Sequence, residues 1–120
     1  MSLFYTDTPS SRTAGGASFA RMPYPPASLV SPAAMAAQAQ ALTSYVSDDD
    51  GWYVRLKEIK APTFVANGDR DGLFPAIGSA VLAREIPRSR LAIYPESGHG
   101  FLFQYADRFS EDVLRFLNEA

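Results

Sequence analysis

His99 is the single histidine in the 120 residues, and it stands between two glycines in Pro95-Glu-Ser-Gly-His-Gly100. An imidazole can take and return a proton near neutral pH, and a carboxylate bonded to its second nitrogen fixes the tautomer and stabilises the imidazolium. Carboxylates placed for that task occur in the polar run Gly68-Asp-Arg-Asp-Gly72. Asp69 and Asp71 are both also ordinary turn formers, and either suits the cap of a following helix. Neither an acid nor a histidine attacks a substrate, so a nucleophile is the third requirement. Gly16-Ala-Ser18-Phe-Ala20 approximates the Gly-x-Ser-x-Gly elbow, and no full match occurs. An elbow needs a buried strand before it and a helix after it. Ser18 is preceded by the polar Ser10-Ser-Arg-Thr-Ala-Gly15 and followed by Met22-Pro-Tyr-Pro-Pro26, so its context rejects that role.

Other candidate chemistry weighs less. Asp48-Asp-Asp-Gly51 lacks the alternating oxygen ligands and distal glutamate of a calcium loop and reads as a solvated helix end. Phe101, Phe103 and Tyr105 could line an acyl pocket, but aromatic residues leading into an amphipathic helix favour core. Cysteine is absent, which excludes disulfides and thiolate metal sites. No cofactor and no metal are expected. A net charge of −2 with singly scattered Lys and Arg offers no basic stripe for a nucleic acid. The first residues lack the pattern of a secretory signal and no apolar run reaches membrane-spanning length, so no membrane is expected and a cytoplasmic location is the default.

The elements that must position Asp71 and His99 follow from punctuation and periodicity. Residues 1–30, rich in Ser, Thr, Gly, Ala and Pro, read as a loop-rich arm. Ser31-Pro32 is a capping hydroxyl with proline at the first helical position, opening an Ala-rich helix with Met35, Ala39, Leu42 and Val46 on one face. A short amphipathic piece, Trp52 to Lys60, carries Leu56 and Ile59 and stops at Pro62. Thr63-Phe-Val-Ala66 reads as a buried strand. Pro75 opens a helix with Ile77, Val81 and Ile86 inward, and Leu91-Ala-Ile-Tyr94 is a second strand. Ala106, Phe109, Val113, Phe116 and Leu117 then mark the apolar face of a final helix. Strand, helix, strand, helix predicts an α/β fold with a parallel crossover, its strands buried on both faces. Function gathers beyond the carboxyl ends of such strands, where both polar loops emerge, so Asp71 and His99 can meet there.

The run from Leu56-Lys-Glu-Ile-Lys-Ala-Pro-Thr-Phe-Val-Ala-Asn-Gly-Asp-Arg-Asp-Gly-Leu-Phe-Pro75, with Ile86-Pro and Tyr94-Pro-Glu-Ser-Gly-His-Gly100, resembles the C-terminal region of α/β-hydrolases. The resemblance covers Leu56 to Leu117. It implies that Asp71, three residues after the glycine that ends the penultimate strand, is the triad acid and that His99 is the general base. It also implies a partial α/β-hydrolase fold: a short parallel βαβα unit over residues 56–120, preceded by a helical lid-like segment over 31–55. The elbow serine and oxyanion loop of such enzymes belong upstream of this region. The expectation is therefore a C-terminal part of an ester or acyl hydrolase, inactive alone, either an expressed piece of such an enzyme or one that works with an N-terminal hydrolase half in trans. The alternative is a non-catalytic oligomeric binding module or remnant. The first strand would carry an unpaired edge, which predicts a homodimer through that edge.

Overall fold

A computed structural model describes residues 3–21, 30–47 and 51–119, apart from the Trp52 side chain. The proline-rich Met22 to Pro26 and the Asp48 to Asp50 run lie outside the described residues. The elements are α1 (Pro9–Arg21), α2 (Pro32–Val46), α3 (Trp52–Arg55) with a 3-10 turn (Leu56–Glu58), β1 (Thr63–Gly68), α4 (Ala76–Glu85), β2 (Ser89–Tyr94), α5 (Phe101–Gln104) and α6 (Ala106–Glu119).

Both strands fall where their apolar, β-branched and aromatic runs place them. They pair in parallel with Thr63 opposite Ser89 and Gly68 opposite Tyr94, and α4 makes the crossover. Thr63 N–H donates to Arg88 O at 2.8 Å, and Asp69 N–H to Tyr94 O at 2.9 Å. Because alternate residues of a parallel strand face each neighbour, Phe64 and Ala66 turn their N–H and C=O groups away from β2. No second strand pairs with that edge among the described residues. The strands are less deeply covered than predicted: Val65 is buried, Phe64 half-buried, and Leu91 exposed.

The core gathers around Tyr94, which is fully buried. Its ring stacks on Phe101 at 5.3 Å and meets Phe109 edge-on at 6.2 Å, while Phe64 approaches Phe116 at 5.6 Å. Each such pair adds roughly 0.5–1.5 kcal/mol beyond simple burial. Phe109, Val113 and Phe116 therefore form the inner face of α6 as the periodicity predicts, but Leu117 is exposed at its rim. The inner face expected for α4 is met in part. Ile86, at its C-cap, is buried and Val81 half-buried as predicted, but Ile77 is 73 % exposed and Ser79 is the buried residue of the first turns.

The largest correction concerns the expected loop-rich arm, because Pro9–Arg21 is helical. Its start carries the same signal as α2. Thr8 Oγ1 accepts from Ser11 N–H at 3.3 Å and Pro9 occupies the first helical position, as Ser31 Oγ and Pro32 do for Ala34. Gly15-Gly16 lowers helix propensity, and tertiary contact overrides it. The helix packs on α5, and buried Ser11 donates to Gln104 Oε1 at 2.7 Å while accepting Thr6 N–H at 2.9 Å. In α2, by contrast, no residue is buried, and Met35, Leu42 and Val46 all lie open.

Candidate active site

Parallel pairing of β1 and β2 brings their carboxyl ends together, so the loops after Gly68 and Tyr94 leave side by side. Several contacts zip those loops. Arg70 N–H donates to Ser97 O at 3.0 Å, and Ser97 N–H donates to Asp69 Oδ1 at 3.2 Å. Gly68 permits this approach: a Cβ there would lie 2.3 Å from Ser97 O and 2.5 Å from Gly98 O. Asn67 secures the other side. It donates from Nδ2 to Phe74 O at 2.7 Å and to Ser79 Oγ at 3.1 Å, and its Oδ1 accepts Gly68 N–H at 2.8 Å.

Within this frame Asp71 Oδ2 lies 2.9 Å from His99 Nδ1. The second carboxylate oxygen, Oδ1, accepts Leu73 N–H at 2.8 Å and Phe74 N–H at 3.0 Å. Asp71 is thus a turn former and a histidine partner at once, one oxygen for each task. Asp69 serves the loop zipper instead. The Asp71 side chain is 1 % exposed and that of His99 34 %, so the acid is sequestered while the base can be reached. Burial would raise the Asp71 pKa. The N–H donors of Phe74 and Leu73, together with the His99 hydrogen bond and charge, outweigh it and hold the carboxyl below its ordinary 3.8.

With Nδ1 engaged, Nε2 is the nitrogen left for proton transfer, and it has no hydrogen-bond partner among the described residues. His99 borders a groove of about 580 Å³ that runs along β1 and is walled by Asn67, Phe74, Leu82 and Phe101. Phe101 is both core and groove wall and Tyr105 packs against Tyr94, while exposed Phe103 belongs to neither the core nor the groove. Ser18 sits deep in α1, ten residues into a helix, rather than between a strand and a helix. It makes no hydrogen bond to His99 among the described residues.

Sequence reasoning selected Asp71 and His99 but overlooked Asn67, Phe4 and Phe74. Asn67 carried a signal, a polar residue continuing an apolar strand, which must find partners when buried. Phe4 and Phe74 carried none. Their rings approach the imidazole at 5.6 and 5.5 Å through contacts that only the folded chain creates.

No family model matches the chain. Among curated proteins it is similar to a 2-hydroxy-6-oxononadienedioate/2-hydroxy-6-oxononatrienedioate hydrolase of Klebsiella pneumoniae, with 39 % identity over 66 residues, 55 % of this chain and 23 % of that protein. A poly(3-hydroxyalkanoate) depolymerase of Ectopseudomonas oleovorans is 38 % identical over 64 residues, 53 % of this chain and 22 % of that one. Among solved structures, an alpha/beta hydrolase fold protein from Chitinophaga pinensis superposes with a TM-score of 0.84 at 26 % identity, covering 98 % of this chain and 43 % of that one. The chain therefore has a partial α/β-hydrolase fold, and its matched stretch spans under a quarter of the curated relatives.

Proposed function

We propose that the chain supplies the acid and base of a hydrolase triad acting on an ester or related acyl substrate. The observation that carries this reading is the 2.9 Å contact between Asp71 and His99, formed by a buried acid and an accessible imidazole at the end of a groove. Asp71 holds the Nδ1–H tautomer and stays ionised. His99 Nε2 takes the proton from an attacking hydroxyl as that oxygen bonds to the acyl carbon, then returns it to the departing alcohol or other leaving group. Water repeats the cycle to release the acid.

The hydroxyl and the oxyanion donors come, in this reading, from a hydrolase segment outside these 120 residues, either in a longer chain or as a partner. That segment pairs with the outward edge of β1 and covers the groove and α2. The Chitinophaga likeness supports this. Nearly the whole chain superposes on less than half of that protein, which leaves more than half of that protein as further polypeptide. The names of the relatives, hydrolases and a depolymerase, support the reaction class. No helix among the described residues is long and apolar enough to cross a membrane. A cytoplasmic setting fits the proposal.

The unpaired edge of β1 also favours a second reading, a non-catalytic module that pairs with its own copy. Assay of the purified chain against a short activated ester, beside His99→Ala, tests the first. No His99-dependent turnover is expected from the chain alone. A rate above buffer that vanishes in His99→Ala would mean that a nucleophile resides within these residues.

A further inference from the structure

The histidine loop is held from outside the βαβ unit by the segment Leu3 to Thr6, a turn and bend that precede α1. His99 N–H donates to Leu3 O at 3.0 Å and Gly100 N–H to Phe4 O at 2.7 Å, a short ladder on both sides of the imidazole-bearing residue. Thr6 Oγ1 donates to Glu96 O at 2.8 Å. Glu96 has φ of 51°, a left-handed conformation that costs a non-glycine residue free energy, so this bond pins the loop at its strained point. Above the ladder, the Phe4 ring meets the imidazole edge-on at 5.6 Å.

The two glycines beside His99 fit the same device. Gly100 has an ordinary φ of −84°, so its backbone does not need glycine. Space does. A Cβ on Gly100 would lie 2.7 Å from Phe4 O, and one on Gly98 would lie 3.0 Å from Leu3 O and Phe4 O. At Gly98 the obstructing atoms are all backbone of residues 3 and 4, and at Gly100 the nearest is again backbone, with the Tyr5 ring behind it at 3.2 Å, so no rotamer change clears the space.

We infer that Leu3 to Thr6 is a strap that positions His99 against Asp71, with Phe4 as its positioning side chain and Gly98 and Gly100 as the seats that let it lie close. The βαβ unit by itself brings the acid and histidine loops together, and the strap sets the direction of the imidazole. The inference rests on the proposed acid-base role for its purpose, while its geometry can be tested without turnover. Because the chain has one histidine, every imidazole resonance belongs to His99.

The experiment is NMR on the full 120-residue chain, reading the His99 tautomer from its ring nitrogen shifts and hydrogen exchange at the His99 and Gly100 amides. In the parent, both amides are expected to be protected and the Nδ1–H tautomer to dominate. In Phe4→Ala and Gly100→Ala, exchange at both amides is expected to rise at least about tenfold and the tautomer preference to fall, with β1 and β2 amides still protected. Phe4→Leu, which keeps apolar contact, should recover most of the preference. Thr6→Val, near-isosteric and lacking the hydroxyl that meets Glu96 O and Thr8 Oγ1, gives the milder version of the same change if a harsher variant fails to fold. Unprotected His99 and Gly100 amides in the parent, or a tautomer unchanged in Phe4→Ala and Thr6→Val, would overturn the strap. Protected amides with no tautomer preference, and no change in Asp71→Asn, would instead contradict the Asp71–His99 reading and leave the strap's ladder standing.

Discussion

Asp71 Oδ2 and His99 Nδ1 stand 2.9 Å apart across the carboxyl ends of two adjacent parallel strands, while the other oxygen of Asp71 is fixed by the amides of Leu73 and Phe74. Both partners are thereby oriented before any substrate arrives. Asp71→Asn keeps a side chain of the same size but presents an amide where the imidazole needs an acceptor. In a chain completed with a nucleophile-bearing hydrolase segment, this substitution should lower kcat by about 10⁴, as the same change of the orienting acid does in a serine-protease triad. Steady-state ester hydrolysis checks it, and a loss below about tenfold would reduce Asp71 to a turn residue.

The close approach of the two loops gives a second prediction. Gly68→Ala places a methyl group 2.3 Å from the carbonyl oxygen of Ser97, so β1 and the histidine loop must part. Overpacking of this kind costs roughly 1–3 kcal/mol. Urea unfolding should show that loss, and the histidine tautomer should weaken with it. Unchanged stability would mean that the loops are farther apart in solution.

Acid should act on Asp71 in a defined direction. Its pKa is depressed in the fold, so its contribution to stability is present above the ordinary 3.8 and disappears as pH falls through the lower folded value. The stability gap between the parent and Asp71→Asn should accordingly be constant from neutral pH to about 4 and close only below that. A gap that closes near pH 6 would contradict the assignment.

Tyr94 supplies the opposite limb. Burial first, then its hydrogen bond to Asp112 at 2.8 Å and the charge of that carboxylate, push its hydroxyl to about 12. Arg108, with its guanidinium 5.2 Å from the ring centroid, opposes the rise. A raised pKa stabilises the fold below the ordinary value of 10, and the benefit is lost as pH climbs from 10 to about 12. Relative to Tyr94→Phe, the parent should lose on the order of 2–3 kcal/mol across that window. Denaturant midpoints at alkaline pH measure it.

The outward edge of β1 predicts association. With no covering strand on that edge among the described residues, the chain should self-associate with rising concentration in size-exclusion chromatography. Ala66→Pro should reduce this while leaving the pairing with β2 intact, because the N–H it removes faces outward. A monomer at every concentration would count against pairing through this edge.

Legibility from sequence followed the range of the forces involved. β1 and β2 were readable because short apolar runs ending in Gly68 and Pro95 are local signals. Asp71 and His99 were readable because their loops sit at strand ends. The α1 helix was legible in Thr8-Pro9, a cap of the kind seen at Ser31-Pro32, but its Gly, Ser and Thr content obscured it. The inner face of α4 was read correctly at Ile86 but not at Ile77, since Ile77 is more apolar than Ser79 yet buried Asn67 needs the Ser79 hydroxyl. The approach of Leu3 and Phe4 to His99 spans more than ninety residues, and no local pattern encodes it.

The most direct measurement is ester turnover by this chain mixed with a nucleophile-bearing N-terminal segment of a related hydrolase, after binding of the two has been established. The account predicts turnover in the complex, buffer-level rates for each part alone, and loss of the complex's activity in His99→Ala. A bound complex whose rate is the same with and without the His99 imidazole would contradict it.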